Sequence, residues 1–141
     1  MGYTFPDVRE ALFALVPLAV DGVTPYFQLT IDWEQTLADS PAVLISRVGG
    51  AQSGPFRQDR MQVDVYAIGS ARANDVAQQI CTFLADSSHS VPLPPDPTQD
   101  GAPTEVLLDL VEVEVIPTEI PYMSDTVNIV SATYRVDTRA T

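Results

Sequence analysis

The sequence predicts an α+β fold: a mixed or antiparallel sheet of about five strands with two helices packed on it. Three observations predict it. Two stretches repeat apolar residues at helical spacing, several others alternate apolar with polar residues, and Gly, Pro and Asp-Gly punctuation separates them. A chain of 141 residues fits one domain spanning residues 1–141 and leaves little room for two. The order helix, strands, helix, strands contains no internal repeat and suits a sheet layer with helices against it.

The first helix starts near Pro6, a residue suited to a first helical position, with Asp7 and Glu10 favouring the N-terminal end of the dipole. Val8, Ala11, Leu12, Leu15 and Val16 form its apolar face, and Pro17 is expected to stop or kink it. Asp21-Gly22 reads as a turn. Residues 26–33 alternate, with Phe27, Leu29, Ile31 and Trp33 on one side, and predict a half-buried strand. Residues 42–48 are apolar on both faces apart from Ser46 and Arg47, which predicts a central strand ended by Gly49-Gly50. Residues 49–58 are rich in Gly and polar side chains and predict a flexible loop.

Residues 60–68 predict a strand with Met61, Val63, Val65 and Ala67 inward. A second helix follows, with Ser70 as its N-cap and Ala73, Val76, Ala77, Ile80 and Leu84 as its buried stripe. Residues 87–103 carry five prolines (Pro92, Pro94, Pro95, Pro97 and Pro103) and predict an irregular, extended loop. In residues 105–116 the apolar face shifts phase, from Val106, Leu108 and Leu110 to Val111, Val113 and Val115. A bulge or bend near Leu110 reconciles the halves, and a strand covered first on one side and then on the other is the alternative. Residues 127–136 form the last strand, with Val130, Ala132, Tyr134 and Val136 inward.

Composition narrows the chemistry. The formal charge is −12, which repels nucleic acid, and the seven basic residues are all arginines. Without lysine there is no P-loop lysine and no Schiff base. No apolar run reaches 18 residues, and the opening residues lack the basic and apolar regions of a signal peptide. Gly2 fits a myristoylation site poorly, because Pro6 stands where Ser or Thr is wanted. The single Cys81 cannot make an internal disulfide. It lies on the apolar stripe of the second helix without a basic neighbour, as a small buried hydrophobe would.

No candidate for catalysis or metal binding gains support from a second feature. His89, the only histidine, lies among Ser87, Ser88 and Ser90, but catalytic partners meet through the fold and not by adjacency, so a surface histidine is the simpler reading. Asp96, Asp100 and Gly101 miss the spacing of a calcium loop. Glu112 and Glu114 alternate with valine as the outer side of a strand would. The spacing Pro92-Leu93-Pro94-Pro95 suits aromatic grooves but lacks flanking basic residues. Gly49, Gly50 and Gly54 could bend around a phosphate, yet no helix follows them, and a mobile assembly segment fits better. The expectation is a non-enzymatic protein without cofactor or metal whose work is to bind proteins. Its candidate interface comprises Arg47, Gly49, Gly50, Arg57, Asp59 and Arg60. In so acidic a chain, arginines of this segment can meet carboxylates across a contact, and the competing reading leaves Arg57 and Arg60 solvated or pairs them locally with Asp59 and Asp64.

Several motifs in order carry a resemblance. They are the helix beginning Pro6-Asp7-Val8, the strand Pro41-Ala42-Val43-Leu44-Ile45-Ser46-Arg47-Val48-Gly49-Gly50, the strand Met61-Gln62-Val63-Asp64-Val65-Tyr66-Ala67 leading into a small-residue helix, and the closing strand Val127-Asn128-Ile129-Val130-Ser131-Ala132-Thr133-Tyr134-Arg135-Val136. Together they resemble the tail terminator proteins of long-tailed phages with non-contractile tails, the group related to the lambda tail terminator. The likeness runs from Pro6 to Arg139 and rests on the succession of motifs, while the proline-rich stretch departs from it. The resemblance implies a hexameric ring of identical subunits on the head-proximal end of the tail tube. Such a ring ends tube polymerisation and offers a docking face to the head-completion, or stopper, protein. It implies a virion protein at the tail–neck junction, assembled in the host bacterial cytoplasm without a membrane, with DNA passing through the ring without specific binding. Six copies would carry about −72 in total, which suits a channel that must not hold DNA. A neck or head-completion connector is the nearest alternative, a monomeric peptide-binding module a more distant one, and a small enzyme the last.

Overall fold

The computed structural model describes residues 3–85, 87–93, 104–122 and 124–140. Two helices and six strands follow in the order α1 (Val8–Ala19), β1 (Thr24–Tyr26), β2 (Ala42–Ser53), β3 (Phe56–Ile68), α2 (Ser70–Leu84), β4 (Ser87–Leu93), β5 (Thr104–Ile120) and β6 (Val127–Arg139), with a 3-10 turn at Trp33–Thr36. The α+β class therefore holds, with six strands in place of about five. The strands form one sheet ordered β1-β2-β3-β6-β5-β4, in which only β1 and β2 run parallel. The sheet curls into a half-barrel. Its curl lets α1 touch both β2 and β4, which belong to opposite sides of the strand order.

The core fills the hollow of that curl. Val8, Ala11, Leu12, Leu15 and Val16 of α1 and Ala73, Val76, Ala77, Ile80 and Leu84 of α2 are buried, as their spacing predicts. They meet Val43 and Ile45, then Met61, Val63 and Val65, then Val130, Ala132, Tyr134 and Val136, the inward residues of three neighbouring strands. A second, small cluster lies on the outer face. There the segment after β1 crosses the sheet and sets Leu29, Trp33 and Leu37 against Tyr66, Ala42 and Val127. Trp33 meets the Tyr66 ring edge-on at 5.0 Å.

Five local expectations are corrected. Asp7 and not Pro6 opens α1, its carboxylate accepting from the Arg9 and Glu10 amides. Pro17 does not stop α1, which ends two residues later, so its missing N–H costs a single bond on an exposed flank. Gly69, with φ at +95°, precedes α2, and the Ser70 hydroxyl donates to Glu119 instead of capping. The strand over residues 26–33 is only Thr24–Tyr26. Of its alternating residues Leu29 and Trp33 serve the outer-face crossing, Phe27 packs on Phe13 of α1, and Ile31 is fully exposed. Residues 87–93 are strand β4 and not irregular chain, and Pro92 is admitted because β4 is an edge strand. The rest of that proline-rich stretch, with Asp96, Asp100 and Gly101, lies outside the described residues.

The phase shift in β5 is a set of bulges. Opposite β4, the step from Leu108 to Val111 answers the step from His89 to Ser87, which places an extra residue near Leu110 as the pattern requires. Two further shifts, at 113/115 and 115/118, occur against β6.

Candidate interaction surface

The candidate residues gather where β2 and β3 outrun the helices. β2 is interior as far as Ile45. Arg47 then pairs with Met61 and Gly49 with Arg60, so Val48 is an extra residue and the strand bulges there. Beyond it, residues 49–58 are not the expected flexible loop. They continue the ladder to Ser53 opposite Phe56, closed by a two-residue turn of Gly54-Pro55 in which Gly54 takes φ +56°. Polarity of the side chains misled the expectation. All residues from Arg47's neighbour Val48 to Ser53 are exposed, so the strand is held by backbone bonds and by polar side-chain bonds to Gln52, and asks nothing apolar of its sequence.

Gly49 and Gly50 both take φ +146°, a conformation that L side chains rarely adopt. They differ in space: a Cβ on Gly49 would meet nothing within 4 Å, whereas one on Gly50 would lie 2.1 Å from the Gln58 carbonyl oxygen. The arm is thus pressed flat against β3 at Gly50.

Arg47, Gly49, Gly50, Gln52, Arg57 and Asp59 line an open hollow of about 330 Å³ on the inner side of this arm. Five of the six expected interface residues therefore meet at one place. Asp59 is only 4% exposed, and burial pushes its carboxyl above the usual range despite opposing pulls from Arg47 and Arg57. The Arg47 guanidinium reaches its Oδ1 at 3.5 Å, a loose pair, and Oδ2 has no hydrogen-bond partner. The Thr138 hydroxyl, buried diagonally across on β6, has none either. Among the described residues Arg57 forms no ion pair with a carboxylate. It donates twice to Gln52 Oε1, at 2.8 and 3.2 Å, and its guanidinium lies 4.3 Å over the Phe5 ring.

Arg60 does not join them. Alternation sends it to the outer face, where it meets Glu114 at 2.9 Å. Neither local pairing expected for these arginines forms. Asp59 belongs to Arg47, and Asp64 is held by Gln62 Nε2 at 3.0 Å. Arg60–Glu114 is one rung of an outer-face ladder that includes Arg135–Glu112 at 2.7 Å and Arg139–Asp109 at 3.1 Å. Each rung is half-exposed and contributes little singly. The outward placing of Glu112 and Glu114 is as the alternation predicts.

His89 is half-buried, stacked on Phe83 at 5.4 Å with Nε2 3.4 Å from the Leu84 carbonyl. Ser87 donates to the Ala85 carbonyl and Ser90 to Glu105, so neither hydroxyl is directed at the ring. Cys81 is partly exposed and not wholly buried, and its thiol faces the Tyr134 phenol, whose own pKa burial pushes up strongly. Among the described residues, no three of His, Cys, Asp and Glu stand together as a metal would need.

Val48, expected in the apolar central strand, and Val115, expected on the second apolar face of residues 105–116, are instead exposed, Val48 beside the arm and Val115 with Ile116 at the bulges of β5. Strand periodicity cannot flag them, because a bulge turns consecutive residues outward. No protein-family model matches the chain, and no curated protein matches it either.

Proposed function

We propose that this protein is a structural virion protein that caps the head-proximal end of a non-contractile phage tail tube as a ring. It ends tail polymerisation and presents the docking face for the head-completion protein. The observation that carries the proposal is the β2–β3 arm: a strand segment exposed on both faces, rigidly set by Gly50, beside two arginines in a chain of charge −12. Among the described residues Arg57 has no carboxylate partner and Arg47 only a loose one, so both can take carboxylates from a neighbouring subunit. An exposed, preorganised strand of this kind belongs to a protein that completes itself in an assembly. The likeness of the motifs from Pro6 to Arg139 to the tail terminators supports this choice of assembly.

Deletion of the gene from a phage that carries it tests the proposal. Tails of uncontrolled length that fail to join heads are expected, and purified protein should cap them. Tails of normal length joined to full heads refute the reading. Protein that binds heads and leaves free tails uncapped assigns the chain instead to the neck connectors.

A further inference from the structure

We propose that copies of this chain join edge to edge, residues 45–49 on β2 of one copy pairing antiparallel with residues 112–116 on β5 of the next. The inference concerns the subunit contact of the ring proposed above and rests on that reading.

Both edges are open in the described residues. β1 covers β2 only at Ala42, Val43 and Leu44, so its outer side is free from Ile45 onward. β4 covers β5 only as far as Val111, so its outer side is free from Glu112 onward. The two free stretches share a level. Gly49, Arg60, Arg135 and Glu112 lie on one line across the sheet, and Ser46, Gln62, Thr133 and Val115 on another. Strand direction also fits. β5 runs opposite to β2 through the intervening β3 and β6. Copies related by rotation about an axis along the strands keep their directions, so the β2 of one meets the β5 of the next antiparallel.

The side chains choose this pairing over a symmetric one. From Ile45 to Ser53 the β2 stretch has Arg47 as its single charge. From Glu112 to Ile120 the β5 stretch has Glu112, Glu114 and Glu119 and no base. Joining β5 to β5 would set acid beside acid, and joining β2 to β2 would set arginine beside arginine, whereas β2 with β5 sets opposite charges close. Each edge also exposes apolar surface at the proposed seam: Val48 at 47%, Val115 at 50% and Ile116 at 70%. Pro117 has no N–H and ends the pairable stretch, so each seam spans four or five residues. A head-to-tail contact of this kind repeats until it closes, and the half-barrels then line one curved wall.

The test is oxidative cross-linking of the purified full chain with Cys81→Ser as background. Ser46→Cys is combined with Val115→Cys, the residue it faces in this register, or with Ile116→Cys, so the two partners cover a shift of one residue. Val115 and Ile116 are exposed and Ser46 is not among the core residues, so the substitutions leave the core intact. A reducible ladder of covalent oligomers up to the ring is expected from at least one double variant and from no single variant. In the Cys81→Ser chain, Val48→Lys with Ile116→Lys should raise the protein concentration at half-assembly by about tenfold or more. Rings that form but cross-link in neither double variant overturn the edge pairing and leave the ring reading standing. Dimers from a single variant overturn it in favour of a symmetric contact. Protein that stays monomeric at every concentration, and on tails, removes the ring reading itself.

Discussion

Substituting alanine at Gly49 and at Gly50 separates two costs that usually come mixed. Both glycines take φ +146°, so both substitutions carry backbone strain of about 1–3 kcal/mol. Only Gly50→Ala adds a collision, because its Cβ would lie 2.1 Å from the Gln58 carbonyl oxygen and 3.1 Å from the Asp59 Cα. Relief requires β2 to lift by roughly 1 Å from β3, whose other side is held in register by β6. The arm has no buried side chain beyond Arg47, so it should open instead of distorting the core. Opening forfeits the ladder of five facing residues from Gly49 to Ser53. At a net contribution of about 0.5–1.5 kcal/mol for each hydrogen bond, that limits the loss to a few kcal/mol. Amide exchange of residues 51–56 should therefore remain protected, though weakened, in Gly49→Ala and become unprotected in Gly50→Ala, with the core strands unchanged in both. Equal protection in the two variants would refute the reasoning. The same open arm should weaken assembly in Gly50→Ala well beyond Gly49→Ala.

Tyr134→Phe should stabilise the protein by about 1 kcal/mol, because it removes a fully buried hydroxyl that has only the Cys81 thiol beside it, and a chemical denaturation midpoint reads the gain. Asp59→Asn should gain on the parent as pH rises. Burial raises the folded carboxyl above its ordinary 3.8, so the stability that Asp59 contributes is present below that value and lost as pH climbs through the folded one. Denaturation of both proteins from about pH 3 to about pH 7 checks the sign, and a parent that gains on the variant with pH would show that Arg47 and Arg57 outweigh burial. Arg57→Glu should weaken capping of purified tails most strongly at low salt, with circular dichroism unchanged, whereas Arg60→Glu should cost only about 1 kcal/mol or less through its rung with Glu114.

What the sequence made legible follows from what each residue has to satisfy. Met61, Val63 and Val65 and their partners Val130, Ala132 and Tyr134 are buried on one side and wet on the other, so their alternation is enforced and readable. Both helices are legible for the same reason. Residues 26–33 alternate as well, but nothing in a single strand says whether a partner lies beside it. The chain there lays Trp33 and Leu29 on the outer face of a sheet that other segments build and sets Phe27 against Phe13 of α1. The arm and β4 were missed for the opposite cause. A strand exposed on both faces, or lying at an edge with a single core residue such as Val91, tolerates Gly, Ser and Pro because its backbone ladder does most of the holding. Five of the six candidate residues lie together because the unusual combination of glycines and arginines is local in the sequence. Arg60 lies apart from them because the bulge at Val48 and the alternation of β3 decide which side of the sheet it takes.

The outer-face crossing has an optical consequence. Trp33 is the only tryptophan, and it rests on Tyr66 away from the core in which the helices are packed. Its emission therefore registers the seating of residues 27–41 and is blind to the interior, while far-ultraviolet dichroism registers the helices and the sheet. In thermal unfolding the two signals are independent witnesses. Coincident curves would mean that the crossing is locked to the whole domain, and an earlier shift of the tryptophan emission would mean that it lifts first, as a separate cooperative unit.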